Sequence, residues 1–345
     1  MEFKILVIGD PHFMVNNLGL MEKYCQEIYD TIEKEKPDLF VNLGDTLHTH
    51  ERLHIRPVTA ASNFMLNVAK KCPAIMIIGN HDRENNSDFQ TDIHPFNALK
   101  GHPNITVVDH AIWDKELNFI YVPYVPVGRF REALGTAGWT SDGPQPDLGF
   151  SHQEFLHTVD GSYISEKGDP WNEKMFQIIN GHIHKYQVLP GIICPGTIQH
   201  RFGDDPDNAM MLITLTDIQG TGVERKSKKI YRRIPITSIP KKIVLHMEEE
   251  DLNNFQDKIP PNSLVKVFLH ISDKDTAAIQ KDPRYLTLCQ LVESVQIKSR
   301  NEKISLAASA MEELKIEDKL SVTEVISKML QDDFDALHIF TSEIL

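Results

Sequence analysis

The residues able to do chemistry fall in five short clusters. They are Asp10-Pro11-His12, Gly44-Asp45, Gly79-Asn80-His81-Asp82, His152 within Ser151-His152-Gln153, and Gly181-His182-Ile183-His184. Each follows an apolar run. Together they offer carboxylate, amide and imidazole groups, a mixture of oxygen and nitrogen donors that suits Mn²⁺ or Fe²⁺. It is poor for Mg²⁺, which prefers oxygen alone, and for a structural zinc closed by cysteines. An isolated Asp-x-His or His-x-His is more often a capping aspartate or a hydrogen-bonded histidine. Five such clusters in order point to a metal centre.

Groups so far apart in the chain meet only if the fold brings strand ends together. Phe3–Ile8 is an apolar run of strand length, and Met21–Lys36 carries Tyr24, Ile28 and Ile32 at helical spacing. Asp38–Leu43 predicts a second strand, Val58–Lys71 a second helix and Ala74–Ile78 a third strand. The equal 35-residue steps from Asp10 to Asp45 to Asn80 follow from these successive strand-helix units. Further strands are expected at Asn118–Val122, Asp147–Ser151, Phe176–Ile179 and Met210–Leu215, and a Gly- and Pro-rich loop at Gly135–Gly149. The alternation implies a layered α/β fold. In such folds the carboxyl ends of parallel strands open on one crevice, which is where all five clusters would lie.

The texture changes near residue 235. Pro235, Pro240 and Pro260-Pro261 punctuate the chain, and Leu264–Ile271 predicts a strand of a small α/β unit. Beyond Ser305 the pattern is helical. Ser321-Val322-Thr323-Glu324 has the spacing of a capping box ahead of Val325, Ile326, Met329, Leu330, Phe334 and Leu337. The expected division is therefore 1–240, 241–300 and 301–345. A length of 345 residues accommodates two domains or more.

Composition closes off several classes. No 18-residue apolar run is present, so a membrane span is not expected, and Asp10 ends the first apolar run too early for a signal peptide. Cys25, Cys72, Cys194 and Cys289 are scattered without a CxxC pair, as in a protein of a reducing compartment without structural zinc. There is no GxxxxGK[ST] loop for ATP. The 36 basic and 49 acidic residues give a net charge of −13, which opposes nucleic-acid binding. One stretch departs from that average. Arg225, Lys226, Lys228, Lys229, Arg232, Arg233, Lys241 and Lys242 occur with no acidic residue among them, either as a solvated strand face or as phosphate contacts. Residues 301–345, with ten Asp or Glu against four Lys, disfavour DNA contact there and leave a partner-protein surface open. Trp113, Trp139 and Trp171 are expected to pack rather than to stack on bases.

The ordered series DxH, GD, GNHD, a lone His and GHxH resembles the calcineurin-like metallophosphoesterases, over roughly residues 3–217. The resemblance implies a four-layer α-β-β-α sandwich followed by a small α/β capping domain and a helical C-terminus. It implies two divalent cations, with Mn²⁺ the expected metal. Asp10, His12 and His184 would hold one, Asn80, His152 and His182 the other, and Asp45 would bridge them. His81 would stay free of metal and donate a hydrogen bond or proton, with Asp82 orienting its ring. Ser151 stands where a Gly is common, and His157 is a nearby rival to His152, which is preferred.

Within that superfamily the chain is similar to SbcD-type nucleases and their meiotic-recombination counterparts. His48, three residues after Asp45, matches a second catalytic or substrate-positioning histidine, although His50 is also at hand. Cys194-Pro195-Gly196-Thr197-Ile198-Gln199-His200-Arg201-Phe202-Gly203 resembles the segment after their GHxH, and Arg232-Arg233-Ile234-Pro235-Ile236 the strand leaving their nuclease core. The likeness implies a Mn²⁺-dependent double-strand exonuclease and single-strand endonuclease acting on DNA. Its partner would be an SbcC-like coiled-coil ATPase, homodimerisation stays open, and the setting would be the cytoplasm of a bacterial or phage-infected cell, or the nucleoid. The rival is a metallophosphatase or cyclic-nucleotide phosphodiesterase on the same core. A metal-free scaffold is disfavoured because all seven ligand positions are filled.

Overall fold

The computed structural model describes residues 2–49, 53–160, 163–198, 208–271 and 276–299. His50, the Gln199–Gly203 part of the stretch quoted above, and the helical region expected over 301–345 with its capping box lie outside the described residues. The chain divides into two compact units, one running to Val244 and including Pro260–Leu264, the other made of Leu245–Ile259 and the described residues from Val265.

The larger unit is built on two six-stranded sheets. In the first, Phe3–Ile8, Leu39–Asn42, Ala74–Ile77 and Ile105–Val108 run parallel, and Ala209–Gln219 and Lys226–Pro235 add antiparallel strands beside Phe3–Ile8. In the second, Phe119–Val122, Leu148–Ser151, Ile178–Asn180 and Ile192–Cys194 are parallel, and Ile112–Asp114 and Gln187–Leu189 close the two edges antiparallel.

Strand periodicity explains the layering. Ile5 and Val7 point into a core shared with Tyr121, Phe150 and Ile179 of the second sheet, whereas Leu6 and Ile8 point away from it, into the helical layer. A strand buried on both faces reads as an unbroken apolar run, as Phe3–Ile8 does. The outer layer comprises Leu18–Glu35 and Ile55–Ala69. The first of these buries Met21, Tyr24, Cys25, Ile28 and Ile32, spaced by three and four residues along one face, and stops at Lys36 with a left-handed φ of 50°. On the far side of the second sheet, Phe130–Thr136 and its loops bury Phe130, Leu134, Trp139 and Phe155 against Ile120 and Ile178. These layers make the α-β-β-α sandwich.

Trp113 and Trp139 are buried and Trp171 packs against the same cluster. Their indole N–H groups donate to Asn118, Gln145 and the Phe176 carbonyl, as interior tryptophans require. The loop expected from Gly135 begins later than its composition suggests, because Phe130–Thr136 runs into it. A helix of 7 residues is too short to show a periodicity.

The smaller unit takes the strand Ser263–Ile271 from Val265 on, with Val265, Val267, Leu269 and Ile271 alternating into its core, and a parallel partner strand Ser294–Ser299. Pro283–Leu291 lies between them in sequence, with the Asp282 side chain capping it by accepting from Arg284 N at 2.8 Å. No described helix is long and apolar enough to cross a membrane.

Candidate metal centre

The five clusters meet at the carboxyl ends of five parallel strands. Asp10, Asp45 and Asn80 follow Phe3–Ile8, Leu39–Asn42 and Ala74–Ile77 of the first sheet; His152 and His182 follow Leu148–Ser151 and Ile178–Asn180 of the second. Asp10, His12, Asp45 and His182 all have positive φ, at 39°, 49°, 47° and 71°. Residues other than glycine rarely adopt such angles, and each costs about 1–3 kcal/mol unless its surroundings over-determine it. Here the strand-to-loop turns reverse abruptly so that the side chains converge. Two motif glycines are needed for the same reason. A Cβ on Gly79 would lie 2.3 Å from Asp45 Oδ1, and one on Gly44, at φ 108°, would lie 2.7 Å from His152 Nδ1.

Asp45 lies at the centre of the cluster, and its two oxygens face different groups. Oδ1 is 3.2 Å from His152 Nε2, and Oδ2 is 4.0 Å from His12 Nε2 and 3.8 Å from His81 Nε2. On the first side, Asn80 Oδ1 lies 3.0 Å from His152 Nε2 and 2.9 Å from His182 Nδ1. On the second, His12 Nε2 and His184 Nε2 are 3.1 Å apart. Asp45, His152 and His182 bring ligand atoms within 4.8 Å of one another. Asp10 accepts from His182 N at 3.1 Å through Oδ1, while its buried Oδ2 has no hydrogen-bond partner among the described residues.

The ring orientations leave lone pairs aimed inward. His152 Nδ1 is 2.9 Å from the Leu43 carbonyl and His12 Nδ1 is 3.3 Å from the Leu47 carbonyl, so each of these nitrogens carries the proton and leaves Nε2 facing the cluster. Burial pushes both His12 and His182 down to about 3, which keeps their rings neutral. Burial alone would also lower His152, but the Asp45 and Asp10 carboxylates outweigh it and raise the ring to about 9, so that a proton on Nε2 takes the place a cation would hold. Burial raises Asp10 to about 6; it opposes ionisation of Asp45 too, yet His152 and the other rings hold that carboxyl well below the usual range. The cluster therefore demands positive charge at its centre. With an orphaned carboxylate oxygen and inward imidazole nitrogens, its donor set fits divalent cations.

His81 lies at the open side, its side chain 25% exposed. Its backbone N–H donates to Asp45 Oδ1 at 2.8 Å and its Nδ1 is 2.7 Å from the His48 carbonyl. The His48 ring stacks on it with centroids 5.7 Å apart. His48 thus reaches the cluster, through its carbonyl as well as its ring. His157 does not: it is exposed and lines a separate depression with Leu156 and Trp171.

The expected role of Asp82 needs correction. The His81 ring nitrogens face the His48 carbonyl at 2.7 Å and Asp45 Oδ2 at 3.8 Å. The buried Asp82 carboxylate accepts from the backbone N–H groups of Thr46 at 3.1 Å, Leu47 at 2.8 Å and Gly79 at 3.1 Å, pinning the Asp45 loop to the Asn80 turn. Burial and the charge of Asp45 push the group up to about 7, against the pull of those donors. Asp82→Ala should lower stability by about 3 kcal/mol or more, because it strands buried donors. Thermal unfolding would check this; a wild-type melting temperature with lost activity would restore the catalytic role.

Sequence reasoning missed the wall of the cleft. Glu154, Asp160 and Tyr163 line it beside Asp45, His81, His182 and His184. Their only signal was proximity to His152, since the short strands Val159–Asp160 and Tyr163–Ile164 that present them carry no periodic pattern.

The family model described as calcineurin-like phosphoesterase matches residues 3–186. "Putative phosphoesterase 244L" of Invertebrate iridescent virus 6 is 35% identical over 285 residues, covering 81% of this chain and 98% of the viral protein. "Putative phosphoesterase 078R" of Invertebrate iridescent virus 3 is 32% identical over 295 residues, covering 84% and 82%. The matched region contains all five clusters and both sheets' site-bearing strands, and the chain belongs to the calcineurin-like phosphoesterases.

Proposed function

We propose that this metal-dependent phosphoester hydrolase is a phosphodiesterase that cuts DNA, acting as the nuclease subunit of an SbcCD-like complex. The observation that supports it most is the division of Asp45, one oxygen towards His152 and the other towards His12 and His81. Asp10, His12 and His184 would hold one cation, Asn80, His152 and His182 a second, with Asp45 common to both; Mn²⁺ suits this mixed donor set. When bound, such a pair activates water and neutralises charge on the phosphate and leaving oxygen.

The chain's own residues supply the rest. His81, its Nδ1–H held by the His48 carbonyl, presents Nε2 to the open side, where as an imidazolium it can give a proton to the departing oxygen. DNA leaves as a sugar alkoxide, a poor leaving group, so this proton matters. Asp82 keeps the two loops that carry Asp45 and His81 in register. Among the described residues no Lys or Arg lines the cleft, and Glu154 and Asp160 add negative charge, which suits the single charge of a diester better than the two of a monoester.

The DNA substrate and the coiled-coil ATPase partner are proposed from the resemblance of Cys194–Gly203 and Arg232–Ile236 to the nuclease pattern. In the same reading, the smaller unit handles duplex DNA and the region after 300 docks the partner. The basic stretch lends that reading less than its composition suggests. Lys229 pairs with buried Asp147 at 2.5 Å, Arg232 with Glu35 at 2.6 Å, and Arg225 donates to the Leu117 carbonyl at 2.7 Å. This favours the rival, a phosphatase or cyclic-nucleotide phosphodiesterase, as does the net charge of −13. A Mn²⁺-supplemented assay on linear duplex DNA, single strands, an aryl diester and an aryl monoester separates them. Cleavage of both DNA forms, faster with a coiled-coil ATPase present, is expected; monoester turnover without DNA cleavage would overturn the proposal.

A further inference from the structure

We infer that Tyr163 is a specificity-determining residue, its ring the surface on which a flat aromatic group of the substrate, such as a nucleobase, packs while the phosphate lies at Asp45 and His81. This rests on the phosphodiesterase reading and adds to it the part of the substrate that is recognised. The cleft beside the cluster, about 160 Å³, is too small to enclose a nucleotide, so the organic group must lie along its rim. Tyr163 is on that rim, and it is 57% exposed.

An exposed tyrosine is ordinary; a tethered one at a metal cleft is not. Tyr163 pairs with Asp160 across a two-stranded hairpin, and its hydroxyl donates to Glu154 Oε1 at 3.1 Å. The same oxygen accepts from Ser165 Oγ at 2.7 Å, and Ser165 is buried, its N–H bonded to the Thr158 carbonyl at 2.8 Å. The ring is thereby held at its far end before any ligand arrives, and a side chain already ordered loses less entropy on contact. With carboxylates at Glu154 and Asp160 and no Lys or Arg among the described residues of the walls, packing against a ring is the contact those walls offer an organic group. Glu154 acts through Tyr163 and is a positioning residue.

The test uses the full chain with Mn²⁺ and hydrolysis of bis(p-nitrophenyl) phosphate as readout. Competitive inhibition is measured with thymidine 5′-monophosphate and with deoxyribose 5-phosphate, the same ligand without its base. Tyr163→Ala should raise the inhibition constant of the nucleotide about 10- to 100-fold, to that of the sugar phosphate, and raise KM while kcat stays within about two-fold. Tyr163→Phe keeps the ring but frees it from Glu154, and should fall between wild type and Tyr163→Ala. Equal weakening of both inhibitors, or an unchanged ratio, would overturn the assignment while leaving the diesterase reading in place. A wild-type protein that turns over p-nitrophenyl phosphate but no diester would instead remove that reading, and this inference with it.

Discussion

His81→Asn should slow DNA cleavage by about 10²- to 10⁴-fold, the usual contribution of a positioned proton donor, with metal content unchanged. The side chain sits 3.8 Å from Asp45 Oδ2 but is steered by the His48 carbonyl, so removing the ring leaves the ligand set intact. The backbone N–H that holds Asp45 Oδ1 at 2.8 Å also survives the substitution. The loss should depend on the leaving group. A nitrophenolate departs without a proton, so an aryl diester should suffer far less than DNA, whose alkoxide needs one. Single-turnover rates on both substrates, with metal content by mass spectrometry, would check this. Parallel losses on the two would move the proton-donor role elsewhere, and His48, stacked on His81, is the next candidate.

Asp45→Ala should empty the site of both cations and reduce turnover by more than the roughly 100-fold expected for an outer-shell partner. The two oxygens of Asp45 face the two ligand groups, Oδ1 towards His152 and Oδ2 towards His12. Its loss also removes the charge that balances His152, leaving a buried ring that the remaining carboxylate of Asp10 compensates only in part. Asp10→Ala or His184→Ala, which would each remove a ligand of one cation, should lower metal content less. Metal stoichiometry after gel filtration separates these cases, and Asp45→Ala protein that kept two equivalents would refute the bridging arrangement.

Three parallel strands of the first sheet were legible because burial on both faces makes them continuous apolar runs; Phe3–Ile8 has the same bounds in sequence and structure. The ligand clusters were legible because each directly follows such a run. The rest left weaker traces. Ile105–Val108 and Ile112–Asp114 are short edge or near-edge strands, and Val159–Asp160 with Tyr163–Ile164 owes its form to Glu154, Ser165 and Thr158 rather than to any pattern of its own. Asp82 was assigned to the ring beside it because chain neighbours suggest contact. A tight turn instead sent the carboxylate to three backbone N–H groups, of which those of Thr46 and Leu47 come from over thirty residues upstream. The charges at 225–242 looked free because their partners, Asp147 and Glu35, are distant in the chain.

The candidate metal centre draws Asp10, His12, Asp45 and Asn80 from one sheet and His152, His182 and His184 from the other, so it straddles the seam between two halves of the domain. Cations bound there would be cross-links as well as catalysts, tying together surfaces otherwise joined by apolar side chains such as Val41, Tyr121 and Phe150. The durability of the fold then becomes a function of free metal. A ligand that binds only the folded form stabilises it by about 2.7 kcal/mol at one hundred times its dissociation constant. Chelation should thus loosen the seam first, letting the two sheets part at the crevice end while each keeps its own hydrogen bonds, and a cell short of the metal would lose the protein itself along with its activity.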